Sequence, residues 1–377
     1  MPKGVYIHIP FCNHICHYCD FNKVFLKGQP VEEYLSALDK EMALTFAASP
    51  ASKVETIFIG GGTPTALSEK QLESLLTIIR KHIQTEADYE FTVEANPNDL
   101  SKEKLSIMRT NGVNRLSIGV QTFSPPLLKI IGRTHTNNDV YQSIALAKEI
   151  GFNNISIDLM YGLPNQSMKD VRHSLSEFFS LNIEHCSAYS LIVEPKTVFY
   201  NLMRQGRLLL PKEDVEADMY EEIMAEMTAN GFHQYEISNY AKQGYESRHN
   251  LLYWDNKEYY GFGAGAHSYI ENKRRSNIGP VNQYMKSLQG DKLPIRQELV
   301  LTEQEKMEEE MFLGLRKTSG VDINKFQQKF NISPLEKYKE EILQLEKKHL
   351  IQIINNQIQL TKQGRLLGNE VFQAFLN

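Results

Sequence analysis

The chain is predicted to be an α/β protein: a partial parallel barrel of six β/α units with a small C-terminal helical domain that resembles a winged helix. Three observations predict this. Short β-branched runs alternate with longer amphipathic stretches through residue 191, the pattern of parallel strands joined by helical crossovers. Polar residues recur just after those runs, at the strand ends where α/β folds build active sites. From about residue 295 the alternation gives way to three helical patterns and a hairpin pattern.

The expected strands are Gly4 to Ile9, Val54 to Ile59, Glu90 to Ala95, Arg115 to Val120, Asn154 to Leu159 and His185 to Leu191. Helices are expected between them at Val31 to Phe46, after Ser68, and at Ser101 to Asn111, Asn138 to Ile150 and Ser167 to Leu181. Ser68 precedes Gln71 by three residues, a capping-box spacing, and Leu67 lies just ahead of it. A helix from Glu213 to Asn230 and a strand from Phe232 to Ser238 follow. The GFGAGAH segment, Gly261 to His267, lacks the strand-to-helix context of a nucleotide fingerprint, so it reads as a flexible connection near the barrel mouth. Further on, Glu303 to Lys317, Asp322 to Phe330 and Leu335 to Lys347 read as helices, and Leu350 to Leu360 as a hairpin around Asn355 and Asn356. The expected domains are therefore 1–200, the barrel; 201–295, its extension; and 296–377, the C-terminal module.

At 377 residues and 41% apolar content the chain can build a substantial core. Its net charge of -5 gives no basic footprint for nucleic acid. The C-terminal module carries eleven Lys plus Arg and eleven Asp plus Glu from Val300 onward, so a packing, lid or protein-contact role suits it better than DNA binding. No apolar run is long enough for a spanning helix, which leaves peripheral membrane contact open. Four cysteines and no export pattern after Met1 point to a reducing cytoplasm.

Chemistry concentrates after the first strand, where Cys12, Cys16 and Cys19 stand in CNHICHYC. An iron-sulfur cluster held by three cysteines keeps one iron free of protein ligands, able to bind a substrate or cofactor. An odd number of clustered thiols disfavours a disulfide framework. Zinc remains an alternative, with His8, His14 or His17 completing a Cys3His set, although structural zinc sites usually pair two separated ligand knuckles.

The other strand ends contribute Gly60-Gly61-Gly62-Thr63-Pro64, Glu94-Ala95-Asn96-Pro97, Gln121, Asp158 and Tyr189-Ser190. Any one of these has a structural reading as a cap, a turn or a satisfied loop. Their register around one rim favours a site. The glycine run lacks the Gly-Lys-Ser/Thr of a phosphate loop but lets backbone approach a small zwitterion, and Glu94 can accept hydrogen bonds from a ribose diol. Beside the cysteine loop this fits S-adenosylmethionine, which carries both an amino acid and a nucleoside.

With these motifs in view, the chain resembles the radical S-adenosylmethionine (SAM) superfamily over about residues 1 to 200. It is similar to the coproporphyrinogen oxidase-like branch through YIHIPFC (Tyr6 to Cys12), EANP (Glu94 to Pro97), GVQTF (Gly119 to Phe123) and IGRTH (Ile131 to His135). The resemblance implies a [4Fe-4S] cluster on Cys12, Cys16 and Cys19. It also implies SAM contacts from Tyr6, Tyr18, Gly61, Gly62, Thr63, Glu94, Gln121, Arg133, Asp158 and Ser190, and a reductase or flavodoxin-type electron donor.

Two departures separate the chain from the branch's oxygen-independent coproporphyrinogen III oxidase. That enzyme has a further cysteine two positions beyond the third, where this chain has Asp20-Phe21 after Cys19, and an extended segment ahead of the cysteine loop, where this chain reaches Tyr6 at once. The related heme chaperones, called HemW, share both departures and carry HNxxYW, present here as His249 to Trp254. That likeness implies heme as bound cargo, a heme-accepting protein as partner, and His249 in contact with heme. A neutral imidazole is a good axial ligand and neighbouring aromatics can wall a porphyrin face. The structural alternative is Trp254 as a packing anchor and His249 as a hydrogen-bonded core residue.

Overall fold

Val5, Ile7 and Ile9 alternate with Tyr6 and His8 along the first strand, so one face is continuously apolar and the other carries polar rings. The apolar face is fully buried in the main core and the polar face turns toward the barrel interior. This period of two governs the sheet. The computed structural model describes residues 1–50 and 53–376.

The six expected strands form: β1 (Gly4–Ile9), β2 (Val54–Gly61), β3 (Thr85–Ala95), β4 (Arg115–Gln121), β5 (Ile155–Tyr161) and β6 (His185–Ser190). They pair in parallel in chain order, with Gly4 opposite Thr56 and Gly119 opposite Asp158. The sheet continues past both ends of this set. β7 (His233–Glu236) and β8 (Asn239–Ala241) extend it beyond β6; β9 (Tyr259–Phe262), β10 (His267–Ile270), β11 (Lys273–Asn277) and β12 (Ile295–Val300) extend it beyond β1. Twelve strands result, in the order β12-β11-β10-β9-β1-β2-β3-β4-β5-β6-β8-β7, so the barrel stays open.

Helices α1 (Val31–Ala48), α2 (Glu69–His82), α3 (Lys102–Thr110), α4 (Pro125–Ile130), α5 (Asn137–Glu149) and α6 (Met168–Ser180) cover the outside. At the start of α2, Ser68 Oγ accepts from Gln71 N at 3.3 Å and Gln71 Oε1 accepts from Ser68 N at 3.0 Å, the expected reciprocal cap. Such caps contribute about 1 kcal/mol. Leu72, Leu75, Leu76 and Ile79 turn that helix onto the sheet, each burial contributing about 1.5 to 3 kcal/mol.

The structure differs from expectation at three places. GFGAGAH is no loose connection: Gly261 lies within β9, which runs parallel to β1, and His267 opens β10. A Cβ on Gly261 would sit 1.8 Å from the His267 carbonyl oxygen, so only glycine lets the strands approach. The pattern from Leu335 to Lys347 divides at Tyr338 into helices Pro334–Lys337 and Lys339–Lys347. Residue 296, expected to begin the C-terminal module, is the second residue of β12 and still part of the large sheet.

Beyond β12, the helix Glu303–Gly314 leads into a helical module with a three-stranded sheet of Val321–Asp322, Ile351–Ile354 and Gln357–Leu360. Asn355 and Asn356 turn its hairpin with φ of 50° and 63°, the left-handed pair of a type I′ turn. The module has its own apolar core, and it docks where Thr318 Oγ1 donates to the Gln234 carbonyl at 2.7 Å and Arg365 donates to Gln234 Oε1 at 2.8 Å. Among the described residues, no helix is long and apolar enough to cross a membrane.

Candidate functional site

The cysteine loop leaves β1 through a two-residue parallel pairing of Phe11–Cys12 with Val24–Phe25. Val24 N donates to the Pro10 carbonyl at 2.7 Å and Leu26 N to the Cys12 carbonyl at 2.9 Å, closing the neck of the loop. His17 fastens its middle: the backbone N donates to the Ile131 carbonyl at 3.0 Å and Nδ1 to the Ile130 carbonyl at 2.9 Å. The IGRTH segment is thus the floor on which the loop rests.

Cys12, Cys16 and Cys19 are free thiols, Cys12 buried and the others half-buried. Thr63 Oγ1 donates to Cys12 Sγ at 3.6 Å, and the Lys23 ammonium donates to the Cys19 carbonyl. Burial pushes the Cys12 thiol up to about 11, against the Thr63 hydrogen bond. Of the histidines considered as a fourth zinc ligand, His8 is taken by Tyr6 Oη at 2.9 Å and the Asn22 carbonyl at 2.7 Å, and His17 by Ile130. Among the described residues, no three His, Cys, Asp or Glu side chains converge as a cage for a single metal ion.

Behind the loop lies a cavity of about 460 Å³. It is lined by Cys12, Cys16, Tyr18, Cys19, Gly61, Gly62, Thr63, Glu94, Gln121, Arg133, Asp158 and Ser190. Residues as far apart in the chain as Cys12 and Ser190 meet there because each ends, or closely follows, a parallel strand or sits in the loop facing those ends.

At the glycine turn, Gly61 adopts φ of 113°, and a Cβ there would lie 2.5 Å from the His8 ring. Its N–H donates to Glu94 Oε2 at 3.1 Å. Burial, and then the charge of Asp158, raise the Glu94 carboxyl to about 7 despite that bond and nearby Arg133. Asp158 accepts from Ser117 Oγ at 3.3 Å and is also raised, chiefly by burial. Arg133 donates through Nη1 to Asn96 Oδ1 at 2.6 Å and through Nη2 to Tyr18 Oη at 3.0 Å, while its buried Nε has no partner among the described residues. Gln121 ends β4 at φ of 70°, a left-handed conformation rare outside glycine and typical of strained functional positions. Ser190 donates to Glu216.

Two expected contacts fall outside this cavity. Tyr6 points into the barrel interior, bonded to His8 and stacked with Phe58 at a 6.2 Å ring separation. His249, on the helix Arg248–Trp254, is 1% exposed, with Nδ1 at 2.8 Å from Thr56 Oγ1 and Nε2 at 2.8 Å from Tyr253 Oη. Its ring stacks on Phe58 at 5.2 Å, and burial lowers its pKa to about 3. With both nitrogens engaged it is not poised to ligate iron. Trp254 turns the other way, its ring 4.4 Å from the Arg316 guanidinium of the C-terminal module. The HNLLYW helix is therefore a joint between barrel and module.

Sequence reading did not assign roles to Ser117 or Asn96. Ser117 was reachable, because Ser117, Gly119 and Gln121 share one face of β4 by their spacing of two. Asn96 lay in plain view in EANP, but its part in holding Arg133 depends on tertiary structure. Cys186 is fully buried in the main core.

These donors fit the group that three loop cysteines imply: thiols on one side, and on the other a narrow glycine turn, an unused guanidinium N–H and a partly protonated carboxyl suited to an amino acid and a sugar diol. A family profile described as the radical SAM superfamily matches residues 6–178, and one described as the HemN C-terminal domain matches residues 301–367. The structure of coproporphyrinogen III oxidase (HemN) from Escherichia coli aligns with a TM-score of 0.87 at 25% identity, covering 99% of this chain and 90% of that one. An open β/α barrel with this loop and cavity is a radical SAM protein, which implies a [4Fe-4S] cluster and SAM as cofactors. The protein named heme chaperone HemW from Bacillus subtilis is 55% identical over 99% of this chain and 99% of its own length. Its namesake from Lactococcus lactis is 49% identical over 100% and 97%. The chain belongs to the HemW family.

Proposed function

We propose that this protein is a heme chaperone, binding heme and passing it to acceptor proteins in the cytoplasm, and that it does not decarboxylate coproporphyrinogen III. The carrying observation is the end-to-end relation to proteins named heme chaperone HemW at 55% and 49% identity, against 25% to coproporphyrinogen III oxidase. The pair Asp20-Phe21 after Cys19, where the oxidase has another cysteine, supports the same reading.

In this reading Cys12, Cys16 and Cys19 hold the cluster, which when bound supplies one-electron chemistry and an iron open to the amino-acid end of SAM. The Gly61-Gly62-Thr63 turn takes the methionyl part at close backbone range, and Glu94 accepts from sugar hydroxyls. Arg133, with its free Nε, and Tyr18 close the cavity on the loop side. Gln121, Asp158 and Ser190 complete the polar lining. A reductase or flavodoxin-type protein supplies electrons.

The test pairs binding with turnover. Anaerobically reconstituted protein, given reductant, SAM and coproporphyrinogen III, is expected to form no protoporphyrinogen, while hemin titration gives a saturable Soret spectrum. Protoporphyrinogen formation would replace the chaperone reading with the oxidase one.

A further inference from the structure

GFGAGAH ends on His267, whose side chain is exposed at the start of β10 and forms no hydrogen bond among the described residues. The backbone there is rigidly placed, because the tight packing of Gly261 on the His267 carbonyl fixes the strand pair. His267 faces a groove of about 610 Å³, within the usual size of sites for ligands of this class, roughly 300 to 1,000 Å³. The groove shares Asp20, Phe21 and Lys23 with the cofactor cavity, so the two are continuous across the edge of the cysteine loop.

The lining sets an aromatic ring, an imidazole and two cations among the polar side chains of Asn22, Ser276, Asn277 and Gln297. Phe21 offers the groove a ring that is 64% exposed. Lys196 and Arg296 line the same groove, and neither has an ion-pair partner among the described residues. Lys196 is held at φ of 67°, a conformation that a lysine seldom adopts. Asp20 is the one carboxylate in the lining, and the Lys23 ammonium is already committed to the Cys19 carbonyl. Partial burial and the nearby Arg274 charge lower the His267 pKa, favouring the neutral imidazole that metals bind.

Resting on the heme-chaperone reading, we infer that this groove is where heme sits: His267 ligates the iron, Phe21 packs against the porphyrin face, and Lys196 and Arg296 pair with the two propionates. The cargo then lies at the rim of the cofactor cavity. His249 holds the frame from inside the barrel.

The experiment titrates hemin into reconstituted wild-type, His267→Ala, His249→Gln and Lys196→Glu/Arg296→Glu proteins, reading Soret spectrum and affinity, with cluster content and circular dichroism measured alongside. His267→Ala is expected to lose the histidine-ligated spectrum and weaken binding by about tenfold or more, with the spectrum restored by added imidazole. The double reversal is expected to weaken hemin binding by about tenfold while leaving hemin dimethyl ester unaffected. His249→Gln is expected to keep wild-type ligation. Wild-type affinity and spectrum in His267→Ala would overturn the site and leave the chaperone reading standing; no hemin binding by wild-type protein would overturn both.

Discussion

The Arg133 guanidinium donates to the Tyr18 hydroxyl at 3.0 Å, joining the loop that follows α4 to the loop that carries the three cysteines. Its other terminal nitrogen reaches Asn96 at the end of β3, so one side chain spans three elements around the cavity. Gly119 makes room for it: a Cβ there would lie 2.9 Å from Nη2. Cluster loop and cofactor cavity are thereby mechanically one unit.

Arg133→Lys keeps the charge and loses the planar fork. Iron and sulfide content after reconstitution should match wild type, whereas SAM affinity by equilibrium dialysis should fall by about tenfold or more. Unchanged affinity would remove Arg133 from the cofactor site.

His249 should behave as a core residue. His249→Ala gives up two hydrogen bonds and the stack on Phe58, a loss of about 3 kcal/mol in denaturant unfolding. Because burial depresses the folded pKa to about 3 from an ordinary 6.5, the unfolded chain binds the extra proton in that window. The contribution is therefore complete above about 6.5 and fades as pH falls toward 3. The stability gap between wild type and His249→Gln should shrink on acidification.

Glu41 shows the opposite sign. It is 2% exposed on α1, accepting from Tyr284 Oη at 2.6 Å, Gly263 N at 2.8 Å and Asn277 Nδ2 at 2.6 Å. Burial outweighs these donors and raises it from 4.5 to about 7. The folded state then holds a proton that the unfolded state releases, so its contribution is complete below about 4.5 and is lost as pH rises through 7. Glu41→Gln should flatten the decline in stability across that window, read as denaturation midpoints against pH.

Trp254 and Arg316 stitch the barrel to the C-terminal module. Arg316→Ala should cost about 1 kcal/mol or somewhat more and speed amide exchange in residues 303–376 ahead of the barrel. Exchange that accelerates uniformly would show instead that the two parts unfold as one.

Much of this was legible in the chain itself. A short β-branched run from Gly4 to Ile9 marked β1, and strand-end residues such as Glu94, Gln121 and Asp158 meet in the cavity because parallel strands share one rim. Strands β11 and β12 were missed for a physical reason: Lys273–Asn277 is mostly half-buried and Ile295–Val300, at the edge of the sheet, is mostly exposed, so neither has a buried apolar face to betray it. GFGAGAH misled because glycine signals a turn locally, whereas Gly261 here serves close strand packing. His249 could not be judged from its motif, since Thr56 and Phe58, which fix it, lie nearly two hundred residues away in the chain.

Heme transfer tests the account most directly. Protein reconstituted with its cluster and loaded with hemin is mixed with an apo-hemoprotein, and the Soret band of the acceptor is followed under anoxic conditions. The account predicts that heme moves to the acceptor, leaving the donor's cluster and cofactor cavity intact. Heme retained indefinitely by the donor, or found on the acceptor at no more than the rate from free hemin, would contradict it.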